Sequence, residues 1–298
     1  MSSASVDTGL PTAPTAPAGD VERAAQRERF ALLRRSKTFM VGAAILLVFV
    51  ICAIFGETLA PDDPYATDPL NDLAAPSSDH WFGTDRVGRD VLSRVIVGAR
   101  DILVVAPAAT LLGTVLGTIL GLITGYYRGI TDDVLSRIID AFLAIPVVIL
   151  AMLAITALGP SNLTVIIVIG LVFAPVIART VRAAVLQEVG MEYVAAAQLR
   201  NERAPYVMFA EILPNVMGPV MVEFTVRLGY AIFTIATLAF LGFGADPSIP
   251  DWGRDIEQHY AFINAGVWWA VLFPSLAIAT LIVGINLIAD AIAQTFER

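Results

Sequence analysis

Few side chains in this chain are suited to acid–base or metal chemistry. The 298 residues include two histidines, His80 and His259, and a single cysteine, Cys52. The spacings H-E-x-x-H and H-x-x-x-H, which direct two imidazoles from one helix face toward a metal ion, do not occur. One cysteine excludes an intrachain disulfide and a thiolate metal cluster. The sequence therefore predicts no catalytic residue, no metal site and no cofactor bound by this chain.

Two charged residues fall within an apolar stretch. Glu223 and Arg227 are four residues apart, so their side chains are neighbours on a helix and can pair. Pairing lowers the cost of placing both charges at membrane depth. We expect this intramembrane pair to be structural and to lie near the inner interface of the membrane, with a pore-lining role as the alternative.

The sequence also lacks the phosphate-binding loop of ATPases. That loop needs Gly-x-x-x-x-Gly-Lys-Ser/Thr, and the only lysine, Lys37, is preceded by Ser36 instead of glycine. ATP hydrolysis is therefore not expected on this chain. A membrane-embedded enzyme would need paired catalytic groups within its apolar segments, but Asp140 and Asp290 lie at the ends of such segments.

The elements that must position these residues are predicted to be transmembrane helices. A hydrophobic content of 57% and a mean hydropathy of +0.73 exceed those of soluble domains. About 20 apolar residues are needed to cross a bilayer as a helix. The predicted fold is an all-α integral membrane protein with six spans, at residues 39–56, 101–127, 138–158, 163–184, 216–244 and 268–289.

The distribution of lysine and arginine predicts the orientation of these spans. With the N-terminus inside, the inner segments hold thirteen of the nineteen cationic residues and the outer segments hold five, while Arg227 lies within a span. Both termini are then cytoplasmic, and residues 57–100 and 245–267 form outer loops. Residues 1–37 are predicted to be a disordered, basic cytoplasmic tail that precedes a transmembrane domain at 38–298. The net charge of −8 gives no support for nucleic-acid binding.

Two patterns concern the second span. Glycines recur at intervals of four, which places them on one stripe where another helix can approach closely; they are Gly113, Gly117, Gly121 and Gly125, with Gly129 beyond them.

Before the span, apolar residues recur at helical spacing from Arg89 onward. We expect an amphipathic helix on the outer surface there, either as a docking face or as a brace on the membrane.

The inner loop between the fourth and fifth spans is predicted to be a helical hairpin. Glu192 to Leu199 contains good helix formers, and Asn201 can adopt the left-handed conformation that ends a helix. Pro205 suits the first turn of a second helix, which we expect Pro214 to end before the fifth span. The hairpin would lie parallel to the membrane and face the cytoplasm.

This loop resembles the signature of the permeases of binding-protein-dependent ABC importers, which reads E-A-A, three residues, Gly, about nine residues and I-x-L-P. Ala195 stands in the place of the acid and Asn201 in the place of the glycine. The resemblance implies that the loop couples the chain to an ATPase. The residues it assigns to coupling are Glu192, Tyr193, Ala195, Ala196, Ala197, Asn201, Pro205, Ile212, Leu213 and Pro214.

Residues 80–94 are similar to the run H-x-x-G-T-D-x-x-G-R-D-V-x-S-R of the C-type permeases of dipeptide and oligopeptide importers. Residues 192–197, 227–232, 240–244 and 250–253 also match that subfamily, so the resemblance extends from about residue 38 to the end of the sequence. The outer-loop residues that carry it are Gly83, Thr84, Asp85, Gly88, Arg89, Asp90, Trp252 and Gly253.

The resemblance implies a set of partners and a mechanism. The chain would pair with a second, homologous permease in the inner membrane of a bacterium. Two ABC ATPase subunits, or one double-domain ATPase, would bind ATP and Mg²⁺, and an external binding protein would deliver peptides. Transport would follow alternating access. Nickel chelates or other small cargo remain open as substrates, and a channel or secondary transporter acting alone is the alternative from another class.

Overall fold

The computed structural model describes residues 36–244 and 249–296, and within these residues every regular element is helical. The predicted tail at 1–37 lies outside the described residues, except for its last two positions. The helices are α1 Lys37–Leu59, α2 Val91–Tyr127, α3 Ile130–Leu143, α4 Val147–Leu158, α5 Asn162–Glu188, α6 Glu192–Leu199, α7 Ala204–Phe243, α8 Trp252–His259 and α9 Trp269–Phe296. The all-helical class predicted from the hydropathy pattern is therefore confirmed.

Five of these helices, α1, α2, α5, α7 and α9, are long and apolar enough to cross a membrane. The predicted third span at 138–158 has a different form, because α3 and α4 meet at an angle of 88°. Pro146 lies at this bend; it lacks a backbone N–H and disfavours helical geometry in the residue before it. The 12 residues of α4 extend only about 18 Å, which is too short to cross the hydrocarbon core of a bilayer. The helices α3 and α4 can therefore form a span only together.

Among the described helices, α2 and α5 share the most extensive contact, and the glycine stripe lies in it. A Cβ atom on Gly117 would lie 2.7 Å from the carbonyl oxygen of Ala174, and one on Gly121 would lie 2.7 Å from Cβ of Val181. The partner helix of the stripe is therefore α5 of the same chain. Gly129 differs from the expected pattern, because it has a φ of +67° and precedes α3 outside the seam.

A second close helix contact, not anticipated from the sequence, joins α1 to α9. A Cβ on Gly42 would lie 2.6 Å from the carbonyl oxygen of Gly284, and one on Gly284 would lie 2.7 Å from Cγ2 of Ile45. Because the two glycines are on different helices and far apart in sequence, no spacing rule pairs them. The contact attaches the first span to the last.

The expected surface helix at the end of the first outer loop is instead the beginning of α2. Asp90 caps α2, and its carboxylate accepts hydrogen bonds from the backbone N–H and the hydroxyl of Ser93, at 2.8 and 2.7 Å. Val91 and Arg94 are almost fully buried. No proline lies between Asp90 and the second span, and Gly98 there stays within the helix, so the expected surface helix and the span form one helix of 37 residues.

Two expected helix ends are also absent from the structure. The helix α9 continues past Asp290, because the exposed carboxylate leaves the backbone hydrogen bonds intact. Pro214 does not separate the hairpin from the fifth span, since α7 runs from Ala204 through both. Pro214 lies two residues after the π-helical turn Val207–Ile212, where the hydrogen-bonding register shifts and a missing donor is more easily tolerated.

Candidate functional site

The inner hairpin consists of α6, a tight turn and the first two turns of α7. Asn201 has a φ of +55° in the turn, a conformation that asparagine tolerates better than most residues. The turn is closed by hydrogen bonds from the N–H of Asn201 to the carbonyl of Gln198 (2.9 Å) and from the N–H of Glu202 to that of Ala197 (3.2 Å). Pro205 lies in the first turn of α7.

One face of the hairpin is anchored in the chain and the other is exposed. Val194 and Ala197 are fully buried and pack in the main hydrophobic core, together with Val207 and Ile212. The opposite face carries Ala195, Ala196 and Leu199, of which Leu199 is 85% exposed. The exposed members of the coupling set are Glu192, Ala195, Ala196, Asn201, Pro205 and Pro214, while Tyr193 and Leu213 are half-buried.

Ala197 therefore requires a correction. We expected it, with Ala196, to contact an ATPase, but in the structure it has no exposed surface. Helical periodicity explains the difference, because Ala197 lies three residues after the buried Val194 and therefore shares its face of α6. Of the three alanines that resemble the family signature, only Ala195 and Ala196 are available to a partner.

Tyr193 fastens α6 to the end of the preceding span. Its hydroxyl donates a hydrogen bond of 2.6 Å to Oε2 of Glu188. Burial, followed by this hydrogen bond and the negative charge of Glu188, raises the pKa of Tyr193 to about 12. The phenol is therefore neutral at physiological pH and remains a donor. Across the turn, Arg200 and Glu211 form an exposed ion pair at 3.2 Å, which contributes little stability.

Above the hairpin, the two charges of α7 lie next to each other. Nε of Arg227 is 2.6 Å from Oε1 of Glu223, and the guanidinium is 5.2 Å from the ring centre of Tyr230. Glu223 is buried, so the pair satisfies a carboxylate that would otherwise be costly at this depth.

A second ion pair, not predicted from the sequence, joins α3 to α5. Nε and Nη2 of Arg182, on α5, contact the two carboxylate oxygens of Asp132, on α3, at 2.7 and 2.6 Å. This two-pronged geometry is the strong form of an arginine–carboxylate contact. The two residues are distant in sequence and on different helices, so only the fold brings them together. The pair holds the beginning of α3 against the half of α5 that lies nearer the hairpin.

On the opposite side of the chain, the family-like outer motif folds into a closed turn. Oδ1 of Asp85 accepts hydrogen bonds from the N–H groups of Val87 and Arg89, both at 2.9 Å, and Oδ2 contacts Nε of Arg89 at 2.5 Å. Gly88 has a φ of +77° in this turn, and Gly83 precedes it with a φ of +72°. Both positions favour glycine.

A buried polar network joins this turn to α8. Arg94 contacts Asp255 at 2.6 Å, and both side chains are almost fully buried. His259 contacts the carbonyl of Asp255 through Nδ1 (2.6 Å), and its Nε2 accepts a hydrogen bond from the N–H of Arg86 (3.2 Å). Burial is the main cause that lowers the pKa of His259, so the ring is neutral. The sequence analysis singled out none of these contacts.

Two tryptophans join α2 and α9 to what we call the outer cap, residues 60–90 together with 249–268. Nε1 of Trp252 donates to the carbonyl of Val95 and Nε1 of Trp269 to that of Thr84, both at 3.0 Å. A Cβ on Gly253 would lie 2.2 Å from the carbonyl oxygen of Ala236, so only glycine fits there. Thr84, Asp85 and Asp90 are buried. These motif residues therefore build the cap from inside and do not form its surface.

Comparison with known proteins identifies related chains. The family described as "Binding-protein-dependent transport system inner membrane component" matches residues 117–298, and the "N-terminal TM domain of oligopeptide transport permease C" matches residues 27–76. The dipeptide transport system permease protein of Alkalihalophilus pseudofirmus is 38% identical over 91% of this chain and 89% of its own length. The corresponding Escherichia coli K12 protein is 37% identical, over 89% and 90%.

A di/tripeptide permease of Pseudomonas aeruginosa is 32% identical over 88% of each chain. Among solved structures, an inward-facing form of the MetNI methionine ABC transporter superposes with a TM-score of 0.56 at 19% identity. The superposition covers 69% of this chain and 97% of the other. At that identity the structural match shows a shared fold and nothing about cargo.

Proposed function

The chain belongs to the family of binding-protein-dependent transport system inner membrane components, and from this membership we propose that it is the transmembrane subunit of an ABC importer for peptides. The observation that carries the proposal is the inner hairpin. Its buried face, with Val194 and Ala197, fixes it to the spans, while the face with Ala196 and Leu199 is free to bind a partner. The peptide cargo is inferred from the named activity of the curated relatives.

The proposed topology has six spans, with α3 and α4 forming a broken third one and both termini in the cytoplasm of a bacterium. The excess of lysine and arginine in the hairpin side of the chain supports this orientation. Trp81 and Trp268 are exposed on the opposite side, where aromatic residues typically mark the membrane interface. In this orientation the outer cap faces away from the cytoplasm.

ATP and Mg²⁺ would bind to partner ATPase subunits, while this chain binds no nucleotide and catalyses no reaction. Movement of the ATPases would act on the exposed face of the hairpin, and the anchored face would pass that movement to α5 and α7. Because α7 continues directly from the hairpin into a span, and only three residues separate α5 from α6, the transmission needs no long flexible joint. A second, homologous permease would complete the pore, which would open alternately to each side.

The outer cap is the proposed contact for the substrate-binding protein. Its motif residues are internal, so the contact would use the exposed side chains Tyr65, Leu70 and Tyr260. Aromatic and large apolar residues of this kind are frequent in protein interfaces. Selectivity for particular peptides would then reside mainly in the binding protein.

The test is an affinity purification of the chain from detergent-solubilised membranes, compared with a variant in which residues 192–203 are replaced by a flexible linker. The replacement stops before α7, because that helix continues into a span. We expect a second permease to copurify with both versions and ATPase subunits to copurify only with the intact hairpin. Copurification of neither partner with the folded, intact chain would favour a transporter that acts alone.

A further inference from the structure

Three side chains of the first outer loop converge at one point of the outer cap. Nδ1 of His80 lies 3.1 Å from a carboxylate oxygen of Asp90 and 3.6 Å from one of Asp62. The three atoms all lie within 4.8 Å of one another. Two carboxylates thus approach a single ring nitrogen from the beginning and the end of the loop.

A neutral imidazole does not satisfy this arrangement. Its Nδ1 can carry one proton, which can be donated well to one carboxylate at most. The distance of 3.1 Å to Asp90 is that of a hydrogen bond, but 3.6 Å to Asp62 is too long. A tetrahedral metal ion with ligands at about 2.0–2.2 Å would separate neighbouring ligand atoms by roughly 3.4 Å. The observed distances from Nδ1 of His80, 3.1 Å to Asp90 and 3.6 Å to Asp62, lie on either side of this ligand–ligand separation.

The three side chains are also held in place by other groups. The second oxygen of Asp90 accepts hydrogen bonds from the N–H and the hydroxyl of Ser93, which leaves its first oxygen directed at His80. The Ser93 hydroxyl in turn accepts a hydrogen bond of 3.0 Å from the N–H of Asp62. The N–H of His80 donates to the hydroxyl of Ser77 at 3.2 Å. Outer contacts of this kind orient the ligands of metal sites.

We propose that His80, Asp62 and Asp90 bind a divalent transition-metal ion of the zinc class. One imidazole nitrogen with two carboxylates suits Zn²⁺ better than Mg²⁺ or Ca²⁺, which prefer a full shell of oxygen ligands. The side chain of Asp90 is buried, whereas those of Asp62 and His80 are 48% and 23% exposed. The site therefore opens to solvent, which gives the ion an entry path and supplies water as a further ligand.

The ion would join two helices at their outer ends. Asp62 follows the end of α1, and Asp90 caps the beginning of α2, so a shared metal closes the loop between them. Simple ligand spacing did not reveal the site, because its members are spread over the loop and meet only after folding. The proposal does not depend on the peptide cargo or on any partner.

The experiment uses the full-length chain in detergent, purified through a tag without histidine. Co²⁺ is titrated as a spectroscopic substitute for Zn²⁺, and bound Zn²⁺ is counted by elemental analysis. Unfolding temperature is measured with and without Zn²⁺. We expect one equivalent of bound metal per chain and visible absorption from Co²⁺ in a low-symmetry site. The unfolding temperature should be higher with Zn²⁺ than without it, since a ligand that binds the folded state stabilises it.

Asp62→Asn is the main variant, because this half-exposed side chain is not needed for a helix cap. We expect Asp62→Asn and His80→Gln to weaken metal binding by about tenfold or more. Asp79→Asn removes an exposed carboxylate next to His80, but outside the cluster, and should bind metal like the wild type. Equal affinity of Asp62→Asn and wild type, or no binding by the wild type at micromolar Zn²⁺, would overturn the proposal. So would an unfolding temperature that does not change when Zn²⁺ is added.

Discussion

Replacing Ala196 and Ala197 separately with glutamate should separate partner binding from folding. The two residues are adjacent, yet Ala196 is exposed and Ala197 has no exposed surface. A glutamate at 196 would stay in solvent and cost the chain little stability. It would instead place a bulky charge on the face that we assign to the ATPase.

The cost at Ala197 follows from the burial of a carboxyl group. Keeping it neutral at pH 7 costs about 3.7 kcal/mol, because its ordinary pKa of about 4.3 lies about 2.7 units lower and each unit is worth about 1.36 kcal/mol. Keeping it charged without a partner costs several kcal/mol as well. A penalty of about 3–4 kcal/mol is sufficient to open a local element such as this hairpin.

The assay combines hydrogen exchange of residues 189–206 with peptide uptake by the reconstituted transporter. Ala196→Glu should retain wild-type protection and lose uptake, whereas Ala197→Glu should lose protection as well. Substitution of both residues by serine, which is small and uncharged, is the control and should alter neither measurement strongly. Unchanged protection in Ala197→Glu would refute the inferred burial, and normal uptake by Ala196→Glu would refute the coupling face.

Three further predictions concern the spans and the outer cap. Gly117→Ala should destabilise the chain by about 1–3 kcal/mol in detergent unfolding, since its Cβ would meet α5. Gly190→Ala is the control and should be nearly neutral, because the nearest neighbour of its Cβ would be 3.7 Å away. Equal effects of the two substitutions would contradict the close contact between α2 and α5. A double-mutant cycle of Asp132→Asn and Arg182→Gln should yield about 1–2 kcal/mol of coupling, and additive effects would show that the pair is not formed. Burial raises the pKa of Asp251 to about 6 from an ordinary value of 3.8. The protonated carboxyl therefore contributes stability that is fully present below about pH 3.8 and is lost as pH rises through about 6. The unfolding temperature of wild type relative to Asp251→Asn should fall between pH 5 and 7.5, and a constant difference would argue against this shift.

The sequence predicted features that depend on local pattern. Hydropathy located the long apolar helices, because a span needs only an unbroken apolar run. The turn of the hairpin was anticipated from Asn201, whose side chain tolerates a positive φ. These inferences use physics that acts within one turn or one helix, so no knowledge of the tertiary structure was needed.

Features that depend on distant residues were not predictable in this way. The pairs Arg94–Asp255 and Arg182–Asp132 join helices far apart in the chain, and no periodicity links their members. Pro214 does not end a helix as expected, because the effect of a proline depends on the hydrogen-bonding register of the preceding turn. Ala197 was misassigned because a motif names residues without saying which of them face inward.

The seam between α2 and α5 has a mechanical consequence. The helix α2 begins at Val91, directly after the outer-cap segment 60–90, whereas α5 ends at Glu188 beside the hairpin. Glycines let the two backbones contact each other along most of their shared length. We therefore expect α2 and α5 to move as one rigid unit without sliding past each other. Torque applied to the hairpin would then reach the outer cap without being absorbed on the way, and the two faces of the chain would tilt together.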